Sequence, residues 1–252
     1  MVIDRPAPGM DAQLLPLWNR IFGEYDGFWK MFLETAWSPG RCRCILEDGS
    51  ITAALCWFDC SCGGQKWAYL YAVMTHPEHR GQGLCRTLIE DTHAHLARLG
   101  YDGVLLVPAE ASLRDMYRKM GYADCTSVSE FSCTAGKDAI PLHTVSPEEY
   151  AEARRQYLPH GGVLQEGENL TFLAAQAELL AGNGVLLAAW REDKTLHVME
   201  LLGDQSAAPG IVKALGCEQG EFRTPGKDIP FAMGKKLQEK AIFPIYFGFA
   251  FD

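Results

Sequence analysis

A run of small residues between an apolar strand and an amphipathic helix constrains this chain more than anything else in it. The stretch "KWAYLYAVMT", residues 66–75, is almost unbroken in its apolar character and is stopped by Pro77, the pattern of a buried strand. Leu84, Leu88, Ile89, Leu96 and Leu99 then recur at helical spacing, with Gly100 placed to end the helix. Between the two stands Arg80-Gly81-Gln82-Gly83. Glycine weakens either kind of element, so two of them beside an arginine imply that something comes close to the backbone. Strand, glycine turn and helix N-terminus together form an anion site, because unpaired N–H groups and the positive end of the helix dipole converge there.

The elements around this turn define a fold class. Residues 11–36 read as two helices broken near Gly23 to Gly27, and "RCRCILEDGSITAALCWF" reads as a hairpin turning at Asp48-Gly49. After the long helix come a short buried strand, "DGVLLV", and a short helix, "SLRDMYRKMGY", with Ser112 as its N-cap. "ADCTSVSEFSC" reads as one further strand. The order predicts an α/β unit, an α+β mixed sheet of single-domain size. Residues 134–146 lose periodicity and read as a linker, after which Ser146-Pro147-Glu148-Glu149 opens a helix. A helix around "LTFLAAQAELLAG", the strands "GVLLAAWRE" and "TLHVMELLG", a short helix near 207–215, the strand "GEFRTPG" and a terminal strand in "IYFGFAFD" then repeat the first order in faded form. Two domains follow, 1–135 and 136–252, the second lacking any Arg-x-x-Gly run after its apolar strand.

Composition narrows the partners. A formal net charge of -9 argues against nucleic acid and acidic membranes, which call for a basic face. No apolar run reaches the ~20 residues that span a bilayer, and the first residues lack the apolar core of a signal peptide, so the cytoplasm is the expected location. The nine cysteines are read as reduced thiols. Cys42, Cys44, Cys56, Cys60 and Cys62 lack the two-residue gap of a zinc knuckle, so no metal is expected.

Three nucleotide motifs compete for the turn. A P-loop requires Gly-Lys-Ser/Thr, where Leu84 and Cys85 stand; a dinucleotide fingerprint requires a third glycine. The third fits. Arg80-Gly81-Gln82-Gly83-Leu84-Cys85 resembles the (Gln/Arg)-x-x-Gly-x-(Gly/Ala) signature of the GNAT superfamily of N-acetyltransferases, with Cys85 in place of Gly or Ala. "VMTHPEHR" is similar to that family's fourth strand and its Pro-x-x-Arg segment. Downstream, Met116, Tyr117, Lys119, Gly121 and Tyr122 resemble the family's Leu-Tyr-x-Lys-x-Gly-Phe segment, with Glu110 where Asn is frequent. The resemblance covers roughly residues 11–134 and implies a GNAT fold, with two GNAT-like units in tandem.

It also implies a mechanism. Acetyl-CoA, as acetyl donor, would lie where the fourth and fifth strands splay apart. Its pantetheine arm would pair with Val73, Met74 and Thr75, and its diphosphate would sit on Arg80, Gly81, Gln82, Gly83, Leu84 and Cys85, with Arg86 as a further cation. An acceptor amine, of a small molecule or peptide, would attack the thioester directly. Tyr117 matches the position of the acid that protonates the departing thiolate; read without the family, it is a core aromatic with a surface hydroxyl. Glu110 reads as an exposed acid at a helix start, Glu78 and His79 as solvated, and His93 and His95 as surface residues of the long helix. Asp252 is a candidate for a C-terminal carboxylate near the site. A non-catalytic CoA-binding or sensory module would carry the same turn, and cleft width decides whether a longer acyl group fits. The acceptor, the general base and the oligomeric state, a homo-oligomer included, stay open.

Overall fold

The turn expected at Asp48-Gly49 forms with both residues at positive φ, +50° and +81°, the backbone that a two-residue hairpin requires. The computed structural model describes residues 1–23 and 27–251, so the middle of the break expected near Gly23 to Gly27 lies outside the described residues, as does Asp252. The chain begins with strand β1 (Val2–Asp4), helices α1 (Asp11–Phe22) and α2 (Phe28–Thr35), and the hairpin β2 (Cys42–Glu47) and β3 (Ser50–Cys62). Strand β4 (Gln65–Thr75), helix α3 (Leu84–Arg98), β5 (Gly103–Leu106), helix α4 (Leu113–Arg118) and β6 (Ala123–Asp124) follow. The remainder runs β7 (Ser127–Thr134), β8 (Leu142–Thr144), α5 (Pro147–Tyr157), β9 (Leu164–Gln165), α6 (Glu168–Ala174) and β10 (Glu178–Gly182). It ends with β11 (Val185–Glu192), β12 (Thr195–Gly203), α7 (Ala208–Ala214), β13 (Gln219–Pro225), β14 (Ile229–Pro230) and β15 (Met233–Lys236).

Two mixed sheets result. The first has the order β1-β2-β3-β4-β5-β15-β6, with β9 added to the end of β3; the second has the order β14-β7-β13-β12-β11-β10-β8. The halves of the chain exchange strands. β7, ahead of residue 135, pairs antiparallel with β13 in the second sheet, while β15 from the C-terminal half lies between β5 and β6 in the first. "ADCTSVSEFSC" is therefore two strands in two sheets rather than one. Each sheet holds one parallel pair, β4 with β5 and β12 with β13, joined by a connection that carries a helix.

Three further expectations change. Within the expected linker, Leu142–Thr144 pair with β10 as β8. The helix expected around 170–182 ends at Ala174, where Gln176 Nε2 turns back to the Phe172 carbonyl (3.0 Å), and Glu178–Gly182 fold against β11. The terminal run is coil apart from a single bridge of Tyr246 to Gly162. Its backbone is tied down piecemeal: the Ile245 N–H donates to the Gly161 carbonyl (3.0 Å), the Tyr246 carbonyl accepts from the Val163 N–H (2.9 Å), and Gln165 Nε2 donates to the Phe249 carbonyl at 2.8 Å. The helix start at Ser146 is a full capping box with Glu149.

The first sheet is covered on both faces. Leu88, Ile89 and Leu96 of α3 are wholly buried against Leu55, Val104 and Ala68 on one face, each contributing roughly 1.5–3 kcal/mol by burial. The other face packs Phe32, Phe58, Tyr69, Tyr71, Phe172 and Phe251, drawn from α2, α6 and the C-terminal tail as well as the sheet. Buried Arg154 and Glu200 tie that tail down: Tyr150 and Tyr246 hydroxyls donate to the same carboxylate (3.3 and 2.9 Å), and a Cβ on Gly248 would lie 1.7 Å from it. The five clustered cysteines face one side of β2 and β3, all buried, and burial pushes the Cys44 thiol up to about 11. Among the described residues all nine thiols are free, and no group of His, Cys, Asp and Glu is arranged to hold a metal. No helix among them is long and apolar enough to cross a membrane.

Candidate active site

The first sheet opens at the place where the glycine turn begins. β4 pairs with β5 only from Trp67 to Tyr69, opposite Gly103 to Leu105. Gly103 makes that junction possible, since a Cβ there would lie 2.3 Å from the Trp67 ring. Beyond Tyr69 the strands part: β5 is occupied by β15 on its far side, and no described strand pairs with β4 along that edge. The end of β4, including Val73, Met74 and Thr75, therefore presents backbone groups to a gap.

The sequence reading missed what happens inside that gap. β4 bulges against β3: Met74 stands opposite Ala54 and Tyr71 opposite Cys56, leaving Ala72 and Val73 against Leu55 alone. Ala72 has φ +50°, a conformation that costs a non-glycine residue on the order of 1 kcal/mol. Bulges of this kind re-aim a strand beside a functional site. No turn residue marks it, and alanine in an apolar run gives no signal.

The turn itself carries two left-handed glycines, Gly81 at φ +76° and Gly83 at φ +80°, and a Cβ on either would meet nothing within 4 Å. These glycines serve conformation and open access rather than tight packing. Gly83 caps α3 without a side-chain cap. The carbonyl of Gly83 accepts from the Thr87 N–H (3.0 Å) and hydroxyl (3.2 Å). Among the described residues no acceptor is bonded to the N–H groups of Gly81, Gln82, Gly83, Leu84, Cys85 or Arg86. Arg80 and Arg86 are exposed, and neither pairs with a described carboxylate. Orphan amides, a helix dipole and two free cations together favour a phosphate.

Side chains divide by face. Val73, Leu84, Cys85, Met116 and Tyr117 share one apolar cluster on the α3 side, whereas Met74 is buried on the opposite face and offers the gap only its backbone. Tyr117 is 6% exposed, its ring is 5.7 Å from that of Tyr122, and no described residue is bonded to its hydroxyl. Burial, helped by the nearby Cys85 thiol, holds this hydroxyl well above the usual tyrosine range, so it stays protonated at neutral pH. Burial likewise pushes the Cys85 thiol up, and a scarce thiolate makes it a poor nucleophile.

Other sequence-stated residues move. Ser112 has helical backbone angles and makes no cap bond; its hydroxyl donates to Glu110 (3.1 Å) at the exposed start of α4. Glu78 is exposed, while His79 pairs with Glu47 at 3.4 Å. His93 is buried rather than on the surface, its Nε2 lying 2.7 Å from the Tyr122 hydroxyl, and half-buried His95 packs on Trp57. On the opposite face, the Tyr69 hydroxyl accepts from the Phe251 N–H (3.4 Å), bringing the end of the described chain beside β4.

Residues 11–125 match the family model of the acetyltransferase (GNAT) domain. The chain carries a GNAT acetyltransferase domain. Acyl transfer is the chemistry that this domain family performs. No curated protein matches it. Among solved structures, it is similar to a GCN5-related N-acetyltransferase from Anabaena variabilis, with a TM-score of 0.75 at 16% identity over 94% of this chain and 73% of that one. A putative acetyltransferase from Pyrococcus horikoshii gives 0.63 at 15% identity, covering 98% and 93%. A tandem GNAT protein from the clavulanic acid biosynthesis pathway gives 0.57 at 11%, covering 95% and 99%. The shared fold thus extends over both halves.

Proposed function

We propose that this GNAT chain moves an acetyl group from acetyl-CoA to a primary amine by direct attack. The observation that carries the reading is the row of unbonded amides from Gly81 to Arg86, set at the end of a strand that parts from its neighbour. In this reading these amides, with Arg80 and Arg86, hold the diphosphate, and the free edge at Val73, Met74 and Thr75 pairs with the pantetheine arm. The amine nitrogen, neutral once its proton is taken up by solvent or a base, bonds to the thioester carbonyl carbon. The carbon–sulfur bond breaks, Tyr117 gives its proton to the departing sulfur, and the proton that the nitrogen loses in becoming an amide returns to the Tyr117 oxygen directly or through solvent, a cycle that starts from the protonated hydroxyl. Orientation along β4 supplies much of the acceleration.

The second half is read as a degenerate unit. β12 and β13 also part after a short parallel stretch, Thr195–Val198 against Gln219–Phe222, and β12 bulges at Met199. The turn after β12 departs from the one after β4: Asp204 accepts from the Ser206 N–H at 2.9 Å and from its hydroxyl at 2.7 Å. A carboxylate occupies the place where a phosphate would need bare amides.

Calorimetry with CoA and acetyl-CoA, followed by thiol release with a panel of polyamines, aminoglycosides, amino acids and peptides, tests the reading. Binding at one site per chain with turnover of an amine is expected. Tight binding with no turnover would make the chain a CoA-binding module, and no binding at all would end both readings.

A further inference from the structure

The tyrosine assigned above as the acid stands on a helix that cannot hold itself. α4 has six residues, well under the length at which an isolated helix persists in water. No described residue is bonded to the Tyr117 hydroxyl, so the place of that oxygen depends on the backbone of α4 and on ring packing. The Tyr117 carbonyl accepts from the N–H groups of Met120 (2.9 Å) and Tyr122 (3.1 Å), so the turn after the helix is the frame of the residue.

That frame is gripped from the other half of the chain. Lys235 Nζ, on β15, donates to the Met120 carbonyl at 2.7 Å. Gly121 turns the chain at φ +88°, and a Cβ on it would touch the Lys235 side chain at 3.4 Å. A cation at the C-terminal end of a helix also suits the helix dipole. At the opposite end, Arg114 Nη2 donates to the carbonyls of Pro230 (2.7 Å) and Phe231 (2.8 Å), just ahead of β15, while Nη1 bonds Asp124. Both ends of α4 are thus fixed to residues 230–235.

We infer that Lys235 is a positioning residue for Tyr117, and that the C-terminal half completes the active site of the N-terminal GNAT domain through the inserted strand β15. The inference rests on the proposed role of Tyr117 as the acid. A lysine on the surface of an autonomous second domain would have no such effect. Here its ammonium reaches the carbonyl three residues beyond Tyr117, and the strand that carries it is zipped to β5 from Met233–Leu106 to Lys236–Gly103.

The test uses the full chain with Lys235→Met, Lys235→Arg, Tyr117→Phe and the double variant Tyr117→Phe/Lys235→Met. Lys235→Met is expected to lower kcat about tenfold or more, the scale on which slight misplacement acts. The KM for acetyl-CoA and the affinity for CoA should stay within about twofold. Lys235→Arg should recover most of the loss, and Lys235→Met should cost nothing further once Tyr117 is phenylalanine. Hydrogen exchange of residues 113–122 should quicken in Lys235→Met while that of 81–90 does not. Equal losses with and without the Tyr117 hydroxyl, or unchanged exchange in 113–122, would overturn the inference. Full turnover by Tyr117→Phe, or a native chain that binds no CoA, would instead refute the proposed function; the exchange measurement still decides whether Lys235 holds the helix.

Discussion

The hydroxyl of Tyr122 and Nε2 of His93 lie 2.7 Å apart inside the protein, joining α3, which carries the glycine turn, to the residue that closes the turn after α4. Burial first, and the charge of Lys235 second, lowers the His93 pKa to about 3. The ring is therefore neutral in the folded chain at every physiological pH, while in the unfolded chain it gains a proton below about 6.5. Unfolding takes up that proton, so acid favours the unfolded state. Stability contributed here is complete above pH 6.5 and is lost as pH falls towards 3, by about 1.4 kcal/mol per unit at most. His93→Leu with Tyr122→Phe removes both partners and should flatten this acid limb in denaturant titrations from pH 7 to 4. An unchanged acid limb would exclude His93 as its source.

Tyr117→Phe keeps the ring and its packing against Tyr122 and removes only the hydroxyl. With burial holding that hydroxyl protonated, loss of the acid should lower kcat by about 10²-fold or more. CoA affinity and thermal midpoint should barely move, because no described residue is bonded to the lost group. Steady-state kinetics with the best acceptor of the panel decides the matter. A rise in KM with kcat intact would show that the residue binds and does not donate.

Gly83 separates conformation from space. Its φ of +80° disfavours any side chain, yet a Cβ meets nothing within 4 Å. Gly83→Ala should therefore fold, at a cost of about 1 kcal/mol, while its methyl crowds the approach to the orphan amides. Calorimetry should show CoA affinity falling about tenfold or more. Retained affinity would place the diphosphate elsewhere.

How much of this could be read from the residues depends on what each element needs. The hairpin at Asp48-Gly49, the strand at 66–75, α3 and the helix start at Ser146 rest on local signals, and these formed where expected. The site's glycine turn was legible for the same reason. Elements decided by distant partners were not. Glu178–Gly182 reads as the end of an alanine-rich helix, although Asn183-Gly184 ahead of "VLLAA" is itself a hairpin signal. Met233–Lys236 has nothing strand-like about it, and becomes a strand only because β5 and β6 leave a slot. The bulge at Ala72, the burial of His93 and the reach of Lys235 are likewise products of packing, without a local pattern to announce them.

The buried pair Arg154–Glu200 gives the last test, because it joins the second half to the tail that reaches β4. Glu200 is fully buried, and it accepts from Arg154 at 2.7 and 3.0 Å and from the hydroxyls of Tyr150 and Tyr246. Arg154 also donates to the Val163 carbonyl at 2.9 Å, so every group in the network is engaged. Such a pair adds little over apolar residues of the same volume, but breaking it leaves a charge stranded in a dry interior. Arg154→Met should destabilise the chain by roughly 3–5 kcal/mol, and Arg154→Met with Glu200→Leu by less than the single change. In the double variant Tyr246 would lose its acceptor, and the tail from Tyr246 to Phe251 should become open to proteolysis before the sheets unfold. Equilibrium unfolding of the native chain and the two variants, with limited proteolysis in parallel, measures both effects; a double variant weaker than Arg154→Met would mean that the network is more than a satisfied ion pair.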